Sequence, residues 1–163
     1  MIMFIVSTDK VHLGQTAKDI LFIKNQSSRK KIVIDEICVS SSRDVLVTIK
    51  VDEDHMSGGD MIVPMDLNRN NDSKSVLNPE NCLYGSLLLT DDGLTYGSYH
   101  AQENKVFKEH PEIVLGRANS LSIRVLGHSD GVAFASVKYR EVAGDRDWET
   151  ISGCSLKTLF SWA

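Results

Sequence analysis

The chain has 163 residues, of which 42% are hydrophobic and 25% are charged, and these ordinary globular proportions exclude wholesale disorder. Its formal net charge of -4 at pH 7 lacks the basic footprint that binding to a phosphate backbone requires, so we expect no nucleic-acid partner. Three widely spaced cysteines, Cys38, Cys82 and Cys154, form neither a disulfide framework nor a zinc site. We predict that Cys38 is a buried free thiol and that the chain folds in a reducing compartment.

The first six residues, Met1 to Val6, are apolar but carry no basic residue, and a polar stretch follows them directly. This apolar run is too short for a signal peptide and far too short to cross a bilayer. We therefore predict a first β-strand here and no membrane partner.

Short segments rich in β-branched residues, separated by polar turns, make up most of the chain. In the clearest example, Val45, Val47 and Ile49 alternate with Thr48 and Lys50. Alternate side chains of a strand point to opposite faces, so this period of two is typical of a half-buried strand. The predicted strands are, in chain order, Asp19–Lys24, Lys31–Val39, Asp44–Val51, Leu83–Leu89, Leu94–Tyr99, Lys105–Lys108, Glu112–Leu115, Leu121–Leu126 and Gly131–Tyr139.

The connections between these segments favour an all-β fold. Asp91-Asp92-Gly93 and His128–Gly131 are predicted hairpin turns, because Asp-Gly readily adopts a positive φ. No stretch keeps a helical apolar period beyond a turn or two, and a parallel fold would need crossover helices. We predict an antiparallel β-sandwich or jelly roll.

Two segments depart from this alternation. Residues 52–80 form a long polar connection, and such connections inside a compact domain are usually functional or mobile. The end of the chain is rich in large apolar residues. We predict a β-sandwich domain over residues 1–141 and a C-terminal arm over residues 142–163.

The arm has two alternative roles. It closes over its own sandwich, or it packs on a neighbouring subunit, since large aromatic side chains make good interface anchors. In the second case the partner-binding residues are Trp148, Leu156, Leu159, Phe160 and Trp162.

Motifs that would indicate catalysis or metal binding are weak in this chain. The five histidines show no HxH or HxxxH pair, and His100 with Glu103 is the nearest approach to the metal motif of cupins. Residues 52–55 are acidic but lack the ligand spacing of a calcium loop, so we expect a solvated loop there. Asp91 and Asp92 are adjacent and point apart, whereas a glycosidase pair must converge. We expect a protein that is not an enzyme and has no cofactor.

Several motifs occur in an order shared with one known group of proteins. Strand-like segments Ile34–Ser42 and Val45–Val51 precede the string Gly58-Gly59-Asp-Met-Ile-Val-Pro64-Met-Asp-Leu67-Asn68-Arg69-Asn70. Later segments complete the order: Glu112–Gly116, Leu121–Val125 and Ala135–Tyr139. The series resembles small β-sandwich virion proteins of tailed bacteriophages, including capsid decoration or cement proteins and related tail components. The Gly-Gly…Pro…Leu-Asn-Arg string is its most specific part.

The resemblance implies a structural function. A cement protein needs a rigid sandwich without an active site, often as a homotrimer, with loops or arms that bind the major capsid protein. Here the connection over residues 52–80 and the C-terminal arm are the elements that the resemblance implies for these contacts. The location that it implies is the virion, after assembly in the host cytoplasm.

Two other functions stay open. The first is a carbohydrate-binding or receptor-binding tail component, in which exposed aromatic side chains stack on sugar rings; its candidates are Tyr84, Tyr96, Tyr99 and Trp148. The second is an enzyme on a jelly-roll scaffold, with catalytic residues drawn from distant parts of the chain.

Overall fold

The computed structural model describes residues 2–67 and 75–144. Its elements are β1 Met3–Ser7, β2 Val11–Leu13, β3 Lys18–Lys24, β4 Lys30–Ser41, β5 Val45–Val51, β6 His55–Ser57, β7 Asp60–Met61, β8 Met65–Asp66, a 3-10 turn Pro79–Asn81, β9 Cys82–Leu89, β10 Leu94–Ala101, β11 Val106–Glu109, β12 Ile113–Leu115, β13 Ser120–Leu126 and β14 Gly131–Ala143. All nine predicted strands are present, and so is the strand expected at the N-terminal end. In the part of the chain that is described, no helix is long and apolar enough to cross a membrane.

The strands form two antiparallel sheets that pack face to face, so the predicted β-sandwich is confirmed. Sheet A has the order β11–β4–β14–β1–β8, with β12 beside β4 and β2 beside β14. Sheet B has the order β10–β5–β13–β3–β9–β6, with β7 also paired to β9. The strand β14 continues to Ala143, two residues past the expected end of the domain.

The core lies between the sheets and is built by the alternation visible in the sequence. On β5 and β13 the inward residues Val47, Ile49, Ile123 and Val125 are all fully buried. Burial of each such side chain contributes about 1.5–3 kcal/mol relative to exposure. The rings of Phe4 and Tyr139 stack in the core with their centroids 5.5 Å apart.

Both predicted hairpin turns are wrong. Residues 128–131 connect β13 of sheet B to β14 of sheet A, and residues 91–93 connect β9 to β10, which are separated by three strands of sheet B. A polar turn in the sequence indicates that a strand ends there, but it does not indicate which strand lies beside it. Whether the next strand pairs alongside or crosses over is decided by how the apolar faces of both sheets become buried.

The long connection over residues 52–80 has more regular structure, in the residues that are described, than its polar composition indicates. This stretch contributes three short strands to sheet edges. It also places Ile62 and Leu77 in the core. The polar composition concealed these isolated apolar anchors.

Candidate interaction surface

One segment supplies edge strands to both sheets. Residues 55–67, called the edge segment below, pair with β9 through β6 and β7 and then with β1 through β8. The crossing between the sheets is fixed by two backbone hydrogen bonds, from Ile62 N to Cys82 O at 2.8 Å and from Leu67 N to Met3 O at 2.9 Å. The edge segment therefore runs along one side of the sandwich from sheet B to sheet A.

Two glycines allow the edge segment to lie close against β9. Gly58 and Gly59 have φ values of 86° and 91°, in the region that favours glycine. A Cβ atom on Gly58 would lie 2.6 Å from Ser86 O, and one on Gly59 would lie 2.9 Å from Tyr84 O. Larger residues would collide with β9 at these two positions, which explains the Gly-Gly pair of the sequence motif.

A small second core holds the beginning of the edge segment. The His55 ring lies 6.0 Å from the Phe22 ring, and His55 Nε2 lies 2.8 Å from Gly58 O. Phe22 belongs to an apolar cluster separate from the main core, together with Leu83, Leu87 and Leu89. This cluster supports the segment from beneath.

Most of the exposed side chains of the edge segment are apolar, and the polar exceptions are Ser57 and Asp60. Six of the twelve large hydrophobic side chains that are exposed in residues 2–67 and 75–144 belong to it or to the adjacent β9: Met56, Met61, Val63, Met65, Leu67 and Leu88. Their exposed fractions run from 43% for Leu67 to 69% for Val63. Exposed apolar side chains concentrated in one region mark an interaction site, and methionine adapts its shape to different partners.

A network of charges fixes the connection that leads into the edge segment. Lys50, only 5% exposed, lies with its Nζ atom 2.5 Å from Asp91 Oδ1 and 3.4 Å from Glu53 Oε1. Arg124 donates to both carboxylate oxygens of Asp19, at 3.0 and 3.1 Å, and to Asp91 at 3.0 Å. Hydrogen bonds from Lys50 and Arg124 hold the pKa of Asp91 below its ordinary value.

The expected solvated loop at residues 52–55 is only partly correct. Glu53 is 1% exposed and accepts a hydrogen bond from Gly93 N, while Asp54 pairs with Lys24 at 2.8 Å. These carboxylates bind protein groups, because the two connections 52–54 and 90–93 run side by side and satisfy each other. The acidic cluster is a structural feature of the fold.

A second network anchors the chain just after residues 68–74. Ser75 donates to Glu141 Oε2 at 2.5 Å, and the Tyr139 hydroxyl donates to Ser75 Oγ at 2.5 Å. Val76 N also donates to Glu141 Oε2, at 2.8 Å. Burial raises the pKa of Tyr139 above its ordinary value. These hydrogen bonds therefore hold Ser75 and Val76 against β14, at the point where the chain returns to the core.

The five predicted partner-binding residues, Trp148, Leu156, Leu159, Phe160 and Trp162, lie outside the described residues. So does Trp148 as a candidate sugar contact. The other candidates do not share a surface: Tyr84 is on β9, Tyr96 and Tyr99 are on β10, and these are the fifth and first strands of sheet B. Tyr99 also packs against Phe107, with ring centroids 5.1 Å apart.

The cysteines differ from the expectation. Cys38 is half-buried on the outer face of sheet A, where its Sγ donates to Glu36 Oε1 at 3.3 Å. It faces outward because β4 alternates and Ile37 and Val39 take the core positions. Cys82 is the fully buried thiol, and burial raises its pKa to about 12. Both are free, and residues 2–67 and 75–144 contain no group of three His, Cys, Asp or Glu side chains that could hold a metal.

The resemblance implied that the connection over residues 52–80 contacts neighbouring proteins, but not that its exposed side chains are mainly apolar. Three of the five methionines of the chain fall between residues 56 and 65, around the Gly-Gly pair. Comparison of the chain with protein-family models gave no match, and comparison with curated protein sequences gave no significant match.

Proposed function

We propose that the protein is a non-enzymatic structural protein of a bacteriophage virion, a capsid decoration or cement protein that binds capsid subunits through the edge segment. The observation that carries this proposal is the apolar outward side of residues 55–67, held in place by backbone hydrogen bonds to both sheets.

The anchoring supports a binding function. A preformed surface loses little conformational freedom when a partner covers it, so more of the contact free energy appears as affinity. The edge segment meets this condition, because it pairs with β9 and β1 and buries Ile62 beneath its exposed side chains. Its apolar chemistry suits a protein surface.

The motif that carries the resemblance to phage decoration proteins falls on the same segment. Its glycines are Gly58 and Gly59, its proline is Pro64, and Leu67 closes the described part. The most specific part of the sequence resemblance and the largest group of exposed apolar side chains therefore lie on the same segment. The partner implied is a major capsid protein, and the site of action is the assembled virion.

The C-terminal arm is a second proposed contact. Trp148, Leu156, Leu159, Phe160 and Trp162 remain the candidates there, either toward the capsid or toward neighbouring copies in a homotrimer. This part of the proposal rests on sequence alone.

The test is co-sedimentation of the full-length protein with shells assembled from the major capsid protein of the same phage. Wild-type protein is expected to bind saturably. The double substitution Met61→Ser with Met65→Ser is expected to weaken binding at least about 10-fold, because buried apolar anchors carry most interface free energy. Neither side chain supports the core, so folding is expected to be unchanged.

The matched control is Leu46→Ser with Val106→Ser, two exposed apolar residues away from the edge segment. This variant is expected to bind like the wild type. Absence of any binding by wild-type protein contradicts the proposed function. Equal weakening by both double variants contradicts the assignment of the contact to the edge segment.

A further inference from the structure

The opposite side of the sandwich carries a second, chemically different surface. Strand β10 is the outermost strand of sheet B and pairs with β5 from Leu94 to Ala101. Among the described residues, no strand pairs with its other edge. We propose that a second copy of this chain adds its own β10 to this edge, antiparallel and related by a two-fold axis, which makes one continuous sheet across two protomers.

The composition of β10 makes it the least protected sheet edge of the described residues. Proteins usually protect exposed edges with charged residues, prolines or very short strands, because free backbone groups pair with other chains. The eight residues of β10, Leu-Thr-Tyr-Gly-Ser-Tyr-His-Ala, include no Asp, Glu, Lys, Arg or Pro. Their register shifts once, between Thr95 and Gly97, which leaves Gly97 to Ala101 as the regular part of the edge.

The other sheet edges are better protected. Strands β7 and β8 have two residues each and include Asp60 and Asp66, and strands β2, β6 and β12 have only three residues each. On the far edge of sheet A, β11 carries Lys108 and Glu109. These edges are too short or too charged to accept a long partner strand, and β10 is neither.

The charge distribution favours a second copy as the partner. The chain has a net charge of -4, so two copies of it repel each other overall. A two-fold interface brings the same patch of both copies together, and like charges directly opposite destabilise a strand pair. Two copies of β10 satisfy this requirement at neutral pH, because no Asp, Glu, Lys or Arg side chain is present on either strand.

Apolar residues beside the strand add contact area. Leu94 is 68% exposed, and Tyr96 and Val114 are also exposed. Tyr96 and Val114 line a shallow depression of about 270 Å³ between β10 and β12, whose lining also includes the acidic residues Asp52 and Glu112. Tyr96 is held there, since its hydroxyl oxygen accepts a hydrogen bond from Glu112 N at 3.4 Å.

The inner face of the sheet fixes β10 in position. The Tyr99 ring extends over Gly97, where a Cβ atom would collide with it, and packs on Phe107 of the opposite sheet. The Tyr99 hydroxyl donates to Glu109 Oε2 at 3.3 Å. The strand is therefore ordered before a partner arrives, which lowers the entropic cost of pairing.

This inference does not rest on the proposed capsid function, and its two-fold symmetry differs from the trimer that the sequence resemblance implies. The first test is sedimentation velocity of the full-length protein from about 1 to 200 µM. A concentration-dependent dimer is expected, weak because one strand pair buries less area than the roughly 1,200 Å² of the smallest standard interfaces. A wild-type protein that stays monomeric throughout this range overturns the inference.

A substitution that introduces a charge tests whether β10 forms the dimer interface. Ser98→Asp places a carboxylate within the regular part of each paired strand and is expected to weaken the dimer at least about 10-fold. The control Thr48→Asp introduces the same charge one strand further in, on the cross-strand neighbour of Ser98. It is expected to leave the dimer within about two-fold of wild type. A dimer unchanged by Ser98→Asp overturns the inference.

Disulfide trapping provides a measurement that does not depend on dimer strength. In a background with Cys38→Ser and Cys154→Ser, Ser98→Cys is expected to form a linked dimer on mild oxidation, and Thr48→Cys is expected to stay monomeric. Equal linking of both variants overturns the β10 assignment. Loss of the dimer on Trp148→Ser with Trp162→Ser, while Ser98→Asp retains it, assigns the contact to the C-terminal arm and also overturns it.

Discussion

The Nζ atom of Lys50, on β5, lies 2.5 Å from Asp91 Oδ1 in the connection between β9 and β10. Lys50 is almost completely buried, whereas the Asp91 side chain is 62% exposed. The contact ties the four-residue connection 90–93 to β5, and Arg124 reinforces it through the same carboxylate oxygen. A buried ammonium group without such a partner would be costly.

We predict that Asp91→Asn lowers the stability of the protein at neutral pH. Because the pKa of Asp91 is lowered in the folded state, its contribution is fully present above the ordinary value of 3.8 and is lost as pH falls below it. The urea midpoints of wild type and variant should therefore differ at pH 7 and converge below about pH 4.

The control for this prediction is Asp92→Asn, which removes the same formal charge from the neighbouring residue. Asp92 accepts a hydrogen bond from Thr90 at 2.5 Å. Its urea midpoint is expected to change less than that of Asp91→Asn at pH 7. A pH-independent difference for Asp91→Asn contradicts the ion-pair explanation.

Gly59→Ala is predicted to destabilise the fold by about 1–2 kcal/mol from its positive φ alone. The added methyl group also meets the Leu87 side chain and Tyr84 O. Equilibrium urea denaturation measures the loss. Gly14→Ala is the control, since a Cβ atom there has no neighbour within 4 Å, and it is expected to change stability by less than about 0.5 kcal/mol.

Tyr139→Phe is predicted to cost about 0.5–1.5 kcal/mol, because it removes the hydrogen bond to Ser75 and keeps the ring stacked on Phe4. Tyr139→Ala is predicted to cost about 3–5 kcal/mol through the cavity that it leaves. Thermal or urea unfolding compares the two. Similar losses for both variants would contradict this separation of hydrogen bond and packing.

The raised pKa of Tyr139 is testable by absorbance at 295 nm during alkaline titration. Unfolded tyrosine ionises near pH 10, so the stability contributed by a neutral Tyr139 is present below that pH and is lost above it. In the native state, wild type and Tyr139→Phe are expected to show the same absorbance change. In denaturant, the variant is expected to lose one tyrosine of four.

Cys82 is predicted to resist alkylation in the folded protein. Its burial blocks access and raises its pKa to about 12, so little thiolate is present at pH 8. In a background of Cys38→Ser and Cys154→Ser, iodoacetamide is expected to modify Cys82 only under denaturing conditions. Modification at the same rate with and without denaturant would contradict the buried placement.

The strand positions were predictable because β-branched residues that recur with a period of two are typical of a half-buried β-strand. On β5 and β13 the core-facing residues Val47, Ile49, Ile123 and Val125 follow directly from alternation, whereas Lys50 and Ser122, on the other face, are also buried. The exposed apolar surface of the edge segment was harder to predict from the sequence. Met56, Met61 and Met65 are apolar residues, and nothing local states whether such residues face a core or solvent.

The sequence by itself therefore determined the all-β class, most strand positions and the core-facing residues, since these depend on local alternation and burial. Only the tertiary structure decided which strands are neighbours, that residues 55–66 provide one edge of each sheet, and that Glu53 and Lys50 are buried together. These features depend on contacts between residues far apart in the chain. The position of a turn in the sequence does not specify which strands will pair, and the position of a charged residue does not specify which distant group will bind it.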